Sequence, residues 1–307
     1  TDAGRGLVTA FAHARTPEDA VVVLTQNALA DSSYLEYLRL TTGQRIHVPT
    51  PAESQSEFQE YLADAQRRLQ HDRAFPGEPR QIKPGEDIQM VGGRVAVMGI
   101  NALLARTIFE KNPERTFYVE ESFPLDWMYP YLEPHGLIMK LNRTSLVQIT
   151  PEAVRRDEEF WSSRMKPLVG DWLKEETVVA EVCDFIGRVF VRRDLKGFPG
   201  DAAYTGDPYA CWAFSRLRSS HAGVYRWRAV NAPDDAERRR MSRAADLAFR
   251  QALALCPYSG EVRRRYVRAL ADDGREEDAL RVARMAEKFK ETEAQAARLI
   301  RELEPGR

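Results

Sequence analysis

The sequence predicts an α/β domain over 1–149, with a mixed or parallel sheet and flanking helices, followed by an all-α domain over 150–307. Three observations carry this. Short aliphatic runs alternate with amphipathic stripes in the first half. Strand-type runs stop near Leu146 to Ile149. From Thr150-Pro151-Glu152 onward nearly every segment has helical spacing. A chain of 307 residues also exceeds the usual domain of roughly 100–150 residues.

The elements follow in order. Thr16, Pro17, Glu18 and Asp19 read as a helix N-cap, a first-turn proline and first-turn acids, leading into Val21-Val22-Val23-Leu24, which suits a buried strand. Ser33 with Glu36 fits a capping box ahead of Tyr34, Leu35, Leu38 and Leu40, and Gly43 closes that helix. Arg45 to Pro49 is the next expected strand. Ser54 with Glu57 makes a second capping box, opening a helix through Phe58, Tyr61, Leu62 and Leu69. The Pro- and Gly-rich stretch from Phe75 to Gly93 reads as loop or hairpin. Val95 to Met98 suits a strand, Leu103, Leu104, Ile108 and Phe109 a helical stripe, and Thr116 to Val119 a further strand. In the second domain helices are expected at 151–174, 175–192, 207–230, 234–256, 259–272, 275–290 and 291–304, with Arg193 to Gly206 as the one long break.

Within that helical region Ala245, Phe249, Ala252 and Pro257 fall at offsets 0, 4, 7 and 12. Ala279, Ala283 and Ala286 repeat the first three offsets 34 residues later, with Gly274 in the turn ahead. Small residues so placed let two antiparallel helices pack closely, and the spacing is that of the second helix of a tetratricopeptide repeat. About two such repeats are expected over 234–290. Ala283 replaces the large residue, and Glu291 stands where a second proline belongs.

Composition excludes several classes. With 43% hydrophobic and 30% charged residues the chain reads as globular, and its longest aliphatic run, Val21 to Leu24, is far too short to cross a bilayer. Its 45 basic and 46 acidic residues nearly cancel, so no charge footprint for nucleic acid is expected. The basic total splits into 37 Arg and 8 Lys. A GC-rich codon bias explains such a split, although Arg is also the better bidentate binder. Cys183, Cys211 and Cys256 form no metal or disulfide framework and are expected as buried small hydrophobes. The start at Thr1, with a polar stretch to Gly6, suggests an excised or processed piece.

Four stretches together resemble the soluble C-terminal portion of bacterial multi-pass membrane proteins related to protein O-mannosyltransferases. They are Thr25 to Asp31, Phe117 to Pro130, Phe214 to Ser220 and Phe249 to Tyr258. The resemblance runs from about residue 17 to 290. In such glycosyltransferase-like proteins the catalytic acid belongs to a loop among the membrane helices, and the donor is a lipid-linked phosphosugar. The resemblance therefore implies an extracytoplasmic, periplasmic accessory domain and carries no catalytic residue onto this numbering. Without the resemblance, the expected compartment is the cytoplasm.

No nucleotide loop, zinc-protease or nucleophile-elbow motif is present, and the five histidines are scattered, so no catalytic residue, metal or cofactor is expected. Three groups of residues carry candidate chemistry. Glu120, Glu121 and Asp126 beside Trp127 suit a sugar or acceptor contact, since acids bond hydroxyls and aromatic faces stack on sugar rings; a packed corner explains them too. Asn27 and Asp31 follow the first expected strand, at the edge where α/β sheets hold ligands, or serve as turn and cap. Arg264 and Arg268 share a helix face and resemble a clamp for a peptide carboxylate, or form an exposed basic face.

These readings converge on a non-catalytic accessory module that binds protein or peptide through its helical repeats and meets the membrane portion of its own full-length chain. A sugar- or acceptor-binding part of the glycosyltransferase, and a free-standing soluble scaffold, are the alternatives.

Overall fold

The computed structural model describes residues 21–83, 86, 93–120, 125–289 and 300. The expected helix start at Thr16 to Asp19 and nearly all of the expected helix 291–304 lie outside them. The chain divides into two compact units between Arg115 and Thr116.

The first unit is helical, which corrects the α/β expectation. It contains α1 (Ser32–Thr42), α2 (Pro51–Ala74) and α3 (Arg94–Lys111). No strand occurs among its described residues. Val95 to Met98, expected as a strand, is the first turn and a half of α3, continuous with the stripe that buries Ile100, Leu104 and Ile108. A short apolar run does not distinguish strand from buried helix. Val21 to Leu24 and Arg45 to Val48 lack a partner strand among the described residues. Ile46 and Val48 are nevertheless buried. A side chain does the work of a neighbouring strand: Asn112 Oδ1 accepts the His47 backbone N–H at 2.6 Å, and its Nδ2 donates to the His47 carbonyl at 3.0 Å.

The helix starts also shift. Asp31, not Ser33, is the N-cap of α1, accepting from both the Ser33 amide and its hydroxyl. Gly43, with φ 56°, ends that helix as expected. For α2 the capping box is Thr50 with Glu53 rather than Ser54 with Glu57, and Pro51 occupies the first helical position, where a missing N–H is harmless. Gly99 lets α2 and α3 approach, because a Cβ there would sit 2.6 Å from the ring of Tyr61.

The second unit holds the sheet and the remaining helices. The strands β1 (Phe117–Val119), β2 (Leu132–His135) and β3 (Ile138–Leu141) form an antiparallel sheet in the order β1-β3-β2. It is neither parallel nor part of an alternating strand–helix layer. Pairing of His135 with Ile138 leaves Gly136-Leu137 as a two-residue hairpin loop, and Gly136 has φ 64°.

Among the described residues its helices are α4 (Pro151–Val169), α5 (Val179–Ile186), α6 (Ala202–Gly206), α7 (Pro208–Val230), α8 (Asp235–Leu255), α9 (Gly260–Asp272) and α10 (Glu276–Ala286). The start at Thr150, the start at Asp207-Pro208 and the ends of α7 to α9 match the sequence expectation closely. The expected helix 151–174 stops early at Gly170, with φ 94°. The expected helix 175–192 continues α5 as a π-helical turn over Gly187–Val191. Inside the expected break lies the short α6.

Arginines fasten this unit internally. Arg228 on α7 donates to the carbonyls of Leu146 and Pro130 at 2.7 and 2.6 Å, tying the segments around the sheet to the long helix. Arg250 on α8 donates to the carbonyls of Lys174, Glu175 and Thr177. One planar guanidinium thus satisfies several carbonyls at once through its fixed fork of donors.

Candidate functional site

A buried polar cluster joins three helices of the second unit. Asp157 and Trp161 lie four apart on α4; Arg218, His221 and Tyr225 lie at i, i+3 and i+7 on α7; Gln251 comes from α8. Helical spacing therefore puts each set on one face. Asp157 accepts from Arg218 Nη1 at 2.6 Å and from the Tyr225 hydroxyl at 2.8 Å, and its other oxygen lies 2.8 Å from His221 Nδ1. Arg218 Nε donates to Gln251 Oε1 at 2.7 Å. Burial pushes the Asp157 carboxyl up, but the charges of Arg218 and His221 outweigh it and hold the group well below the ordinary carboxylate range. The Tyr225 hydroxyl is pushed well up by burial and by this anion. Arg218 and His221 are 0% exposed, so the constellation has no path to a substrate and serves as a packed polar core. None of these residues is among the candidate site residues read from the sequence, although Arg218, His221 and Tyr225 share the i, i+3, i+7 spacing of one helix face.

The residues that were singled out land elsewhere. Asn27 is exposed in a 3-10 turn over Gln26–Ala28, and Asp31 is the exposed cap of α1, its carboxyl held below the usual value by the Ser33 hydrogen bonds. The parallel-sheet edge on which a ligand role depended is absent from that segment, so capping accounts for Asp31. Glu121 lies outside the described residues. Glu120 is exposed at the end of β1. Asp126 is exposed and Trp127 half-buried on a 3-10 turn over Asp126–Tyr131, where Trp127 meets Tyr131 edge-on with centroids 6.3 Å apart. Leu125 and Met128 supply the buried side chains of that turn.

On α9 four basic residues divide by role. Arg263 is fully buried, and burial pulls its guanidinium down to about 10. Arg265 reaches the Ser219 hydroxyl of α7 at 2.8 Å. Arg264 is half-buried and Arg268 exposed, and neither is ion-paired to a described residue. The neighbouring helices bury the repeat positions: Ala245, Phe249, Ala252, Ala279 and Ala283 are at most 2% exposed, and Phe249 stacks on Tyr266 of α9 with centroids 5.4 Å apart.

A pocket of about 330 Å³ opens elsewhere in the second unit. It begins with the π turn. There the Arg192 amide reaches the Gly187 carbonyl at 3.1 Å, and the Asp194 amide reaches the Arg188 carbonyl at 3.0 Å. Arg193 between them has φ 55°, a left-handed conformation that costs a non-glycine residue about 1 kcal/mol. Its Nη1 donates to the Thr205 carbonyl of α6 at 3.0 Å. Phe190, Thr205, Tyr258 and Phe289 line the pocket with Arg193 and Lys288. Tyr258 and Phe289 form a ring pair with centroids 6.2 Å apart. Burial and hydrogen bonding to Cys211 keep the Tyr258 phenol neutral. Behind it Cys211 and Cys256 are fully buried, and burial pushes the Cys256 thiol up to about 12. The sequence signal for this site was weak, because its residues come from four separate segments and the expected regular helix at 175–192 concealed the turn.

Among the described residues no group of three or more His, Cys, Asp and Glu is placed to hold a metal, and no helix is long and apolar enough to cross a membrane. Compared with protein families, with curated proteins and with solved structures, the chain finds no match.

Proposed function

We propose that the chain is a non-catalytic binding module, the extracytoplasmic accessory part of a glycosyltransferase-like membrane protein, and that it docks an acidic protein segment on α9. The observation that carries the binding role is the division of the α9 arginines. Arg263 and Arg265 turn inward, while Arg264 and Arg268, four apart, are left without an acidic partner among the described residues. Cations so spaced suit a carboxylate, to which each charge-assisted bond contributes roughly 1.5–3 kcal/mol. Burial of the small residues on α8 and α10 supports a tetratricopeptide-like pairing, in which α9 is the inner helix of a repeat. The resemblance of four sequence stretches to membrane O-mannosyltransferase-like proteins supports the accessory role.

Fluorescence anisotropy with a labelled peptide ending in acidic residues tests the docking. Binding is expected to weaken steeply with salt, and Arg264→Ala or Arg268→Ala to reduce affinity roughly tenfold or more. Equal affinity in both variants refutes the clamp.

A further inference from the structure

We propose that the pocket beside the π turn binds a carboxylate carried on an aromatic body, with Arg193 and Lys288 holding the anion and the Phe190, Tyr258 and Phe289 rings holding the apolar part. This is independent of the α9 surface.

The argument begins with charge. The pocket lining contains two cations and no carboxylate. The Asp207 side chain, next to Pro208, is committed to the start of α7, where it accepts the Tyr209 and Ala210 amides at 2.9 and 3.1 Å. Arg193 has a neutral carbonyl as its only described hydrogen-bond acceptor, and neither Arg193 nor Lys288 is ion-paired to a described residue. The Tyr258 phenol stays protonated, so it adds a hydroxyl and no negative charge. A planar guanidinium and an ammonium lining one pocket suit a carboxylate.

Shape and backbone agree with charge. A volume of about 330 Å³ lies at the small end of ligand pockets and accommodates one aromatic ring on a short chain. Three aromatic side chains give such a ring edge and face contacts. Arg193 occupies a position where glycine would be relaxed, so the chain retains strain to keep a cation there.

Two sources share this chemistry, a free arylalkanoate and the C-terminal phenylalanine of a peptide, and the test separates them. The probes are 3-phenylpropionate, its amide, and a hexapeptide ending in Phe as free acid or amide. Binding to the full chain is measured by ligand-observed NMR, with Kd on the order of 1 mM expected for the small acid. At least one acid is expected to bind about tenfold more tightly than its amide. Lys288→Gln weakens the preferred acid about tenfold, while Arg193→Gly abolishes its binding and leaves Tm within about 2 °C, because relief of backbone strain offsets the lost Thr205 hydrogen bond. Preference for the peptide acid identifies a chain end as ligand, and preference for the free acid identifies a small molecule. Failure of both acids to bind at about 10 mM, equal binding of acid and amide, or unchanged binding in both variants overturns the proposal.

Discussion

Carboxylates in the two units hold arginines in contrasting ways. In the first unit, Asp64 and Glu86 meet Arg67 and Arg68 along α2, graded from an open pair to a sheltered one; Arg67 and Asp64 are 74% and 46% exposed. In the second, Asp157, 1% exposed, sits at the meeting of three helices with its charged partner Arg218 and with His221, both 0% exposed. The difference teaches where an ion pair matters. Pairs that water can replace are worth little, whereas a buried pair is severe to break because the surviving charge has nowhere to go.

The sharpest way to break this contrast is Asp157→Asn. It keeps the shape and strands Arg218 as a buried cation, and a loss of about 3–5 kcal/mol is expected in urea unfolding. Replacing Asp157 and Arg218 together by apolar residues of similar volume is expected to recover part of that loss. If the single variant loses under about 1 kcal/mol, the cluster is not the polar core described above.

An intermediate effect is expected for Glu86→Gln. Glu86 accepts both terminal nitrogens of Arg68, at 2.6 and 2.7 Å, and the Tyr61 hydroxyl at 2.7 Å. The Arg68 hydrogen bonds are the main cause of its depressed pKa of about 2, against an ordinary 4.5. A folded-state value below the unfolded one stabilises fully above about pH 4.5, and the contribution disappears as pH falls toward 2. The variant is expected to lose about 1–2 kcal/mol at pH 7 and to show a shallower acid limb between those pH values. An unchanged limb would remove Glu86 from the account of acid unfolding.

Arg67→Ala marks the small end. Its pair with Asp64 lies in water, and a change within about 0.5 kcal/mol is expected by the same unfolding measurement.

How legible the molecule was in its sequence differs along the chain for physical reasons. Helices of the second unit with strong local punctuation were readable: Thr150-Pro151, Asp207-Pro208 and Ser259 each cap where they were expected to, or within a residue. Thr50-Pro51 carries the same signature, and Thr50 rather than Ser54 caps α2. Of the strands expected in the first half, Thr116 to Val119 is realised as β1, whereas Val21 to Leu24, Arg45 to Pro49 and Val95 to Met98 form none, because a short run of Val, Ile and Leu does not by itself specify a pairing partner. Ile46 and Val48 are buried, and the partner that satisfies His47 is a side chain 65 positions away. The true hairpin was hidden behind Pro134, although Leu132, Met139 and Leu141 are its buried residues around Gly136. Of the candidate sites, the α9 arginines were legible from i, i+4 spacing. The Asp157 cluster and the pocket depend on residues brought together from distant segments, which periodicity does not encode.

The carbonyl clamps made by Arg228 and Arg250 give the chain's excess of arginine over lysine a consequence at the level of descent. Genome-wide drift in base composition exchanges Arg and Lys freely where a side chain only carries charge. Where one guanidinium spans the carbonyls of Lys174, Glu175 and Thr177, or those of Leu146 and Pro130, that exchange removes the planar fork that spans them. In a homologue from an AT-rich genome, positions such as Arg67 would turn over to lysine while Arg228 and Arg250 persist, so the arginines that survive such drift would mark the frame of the second unit.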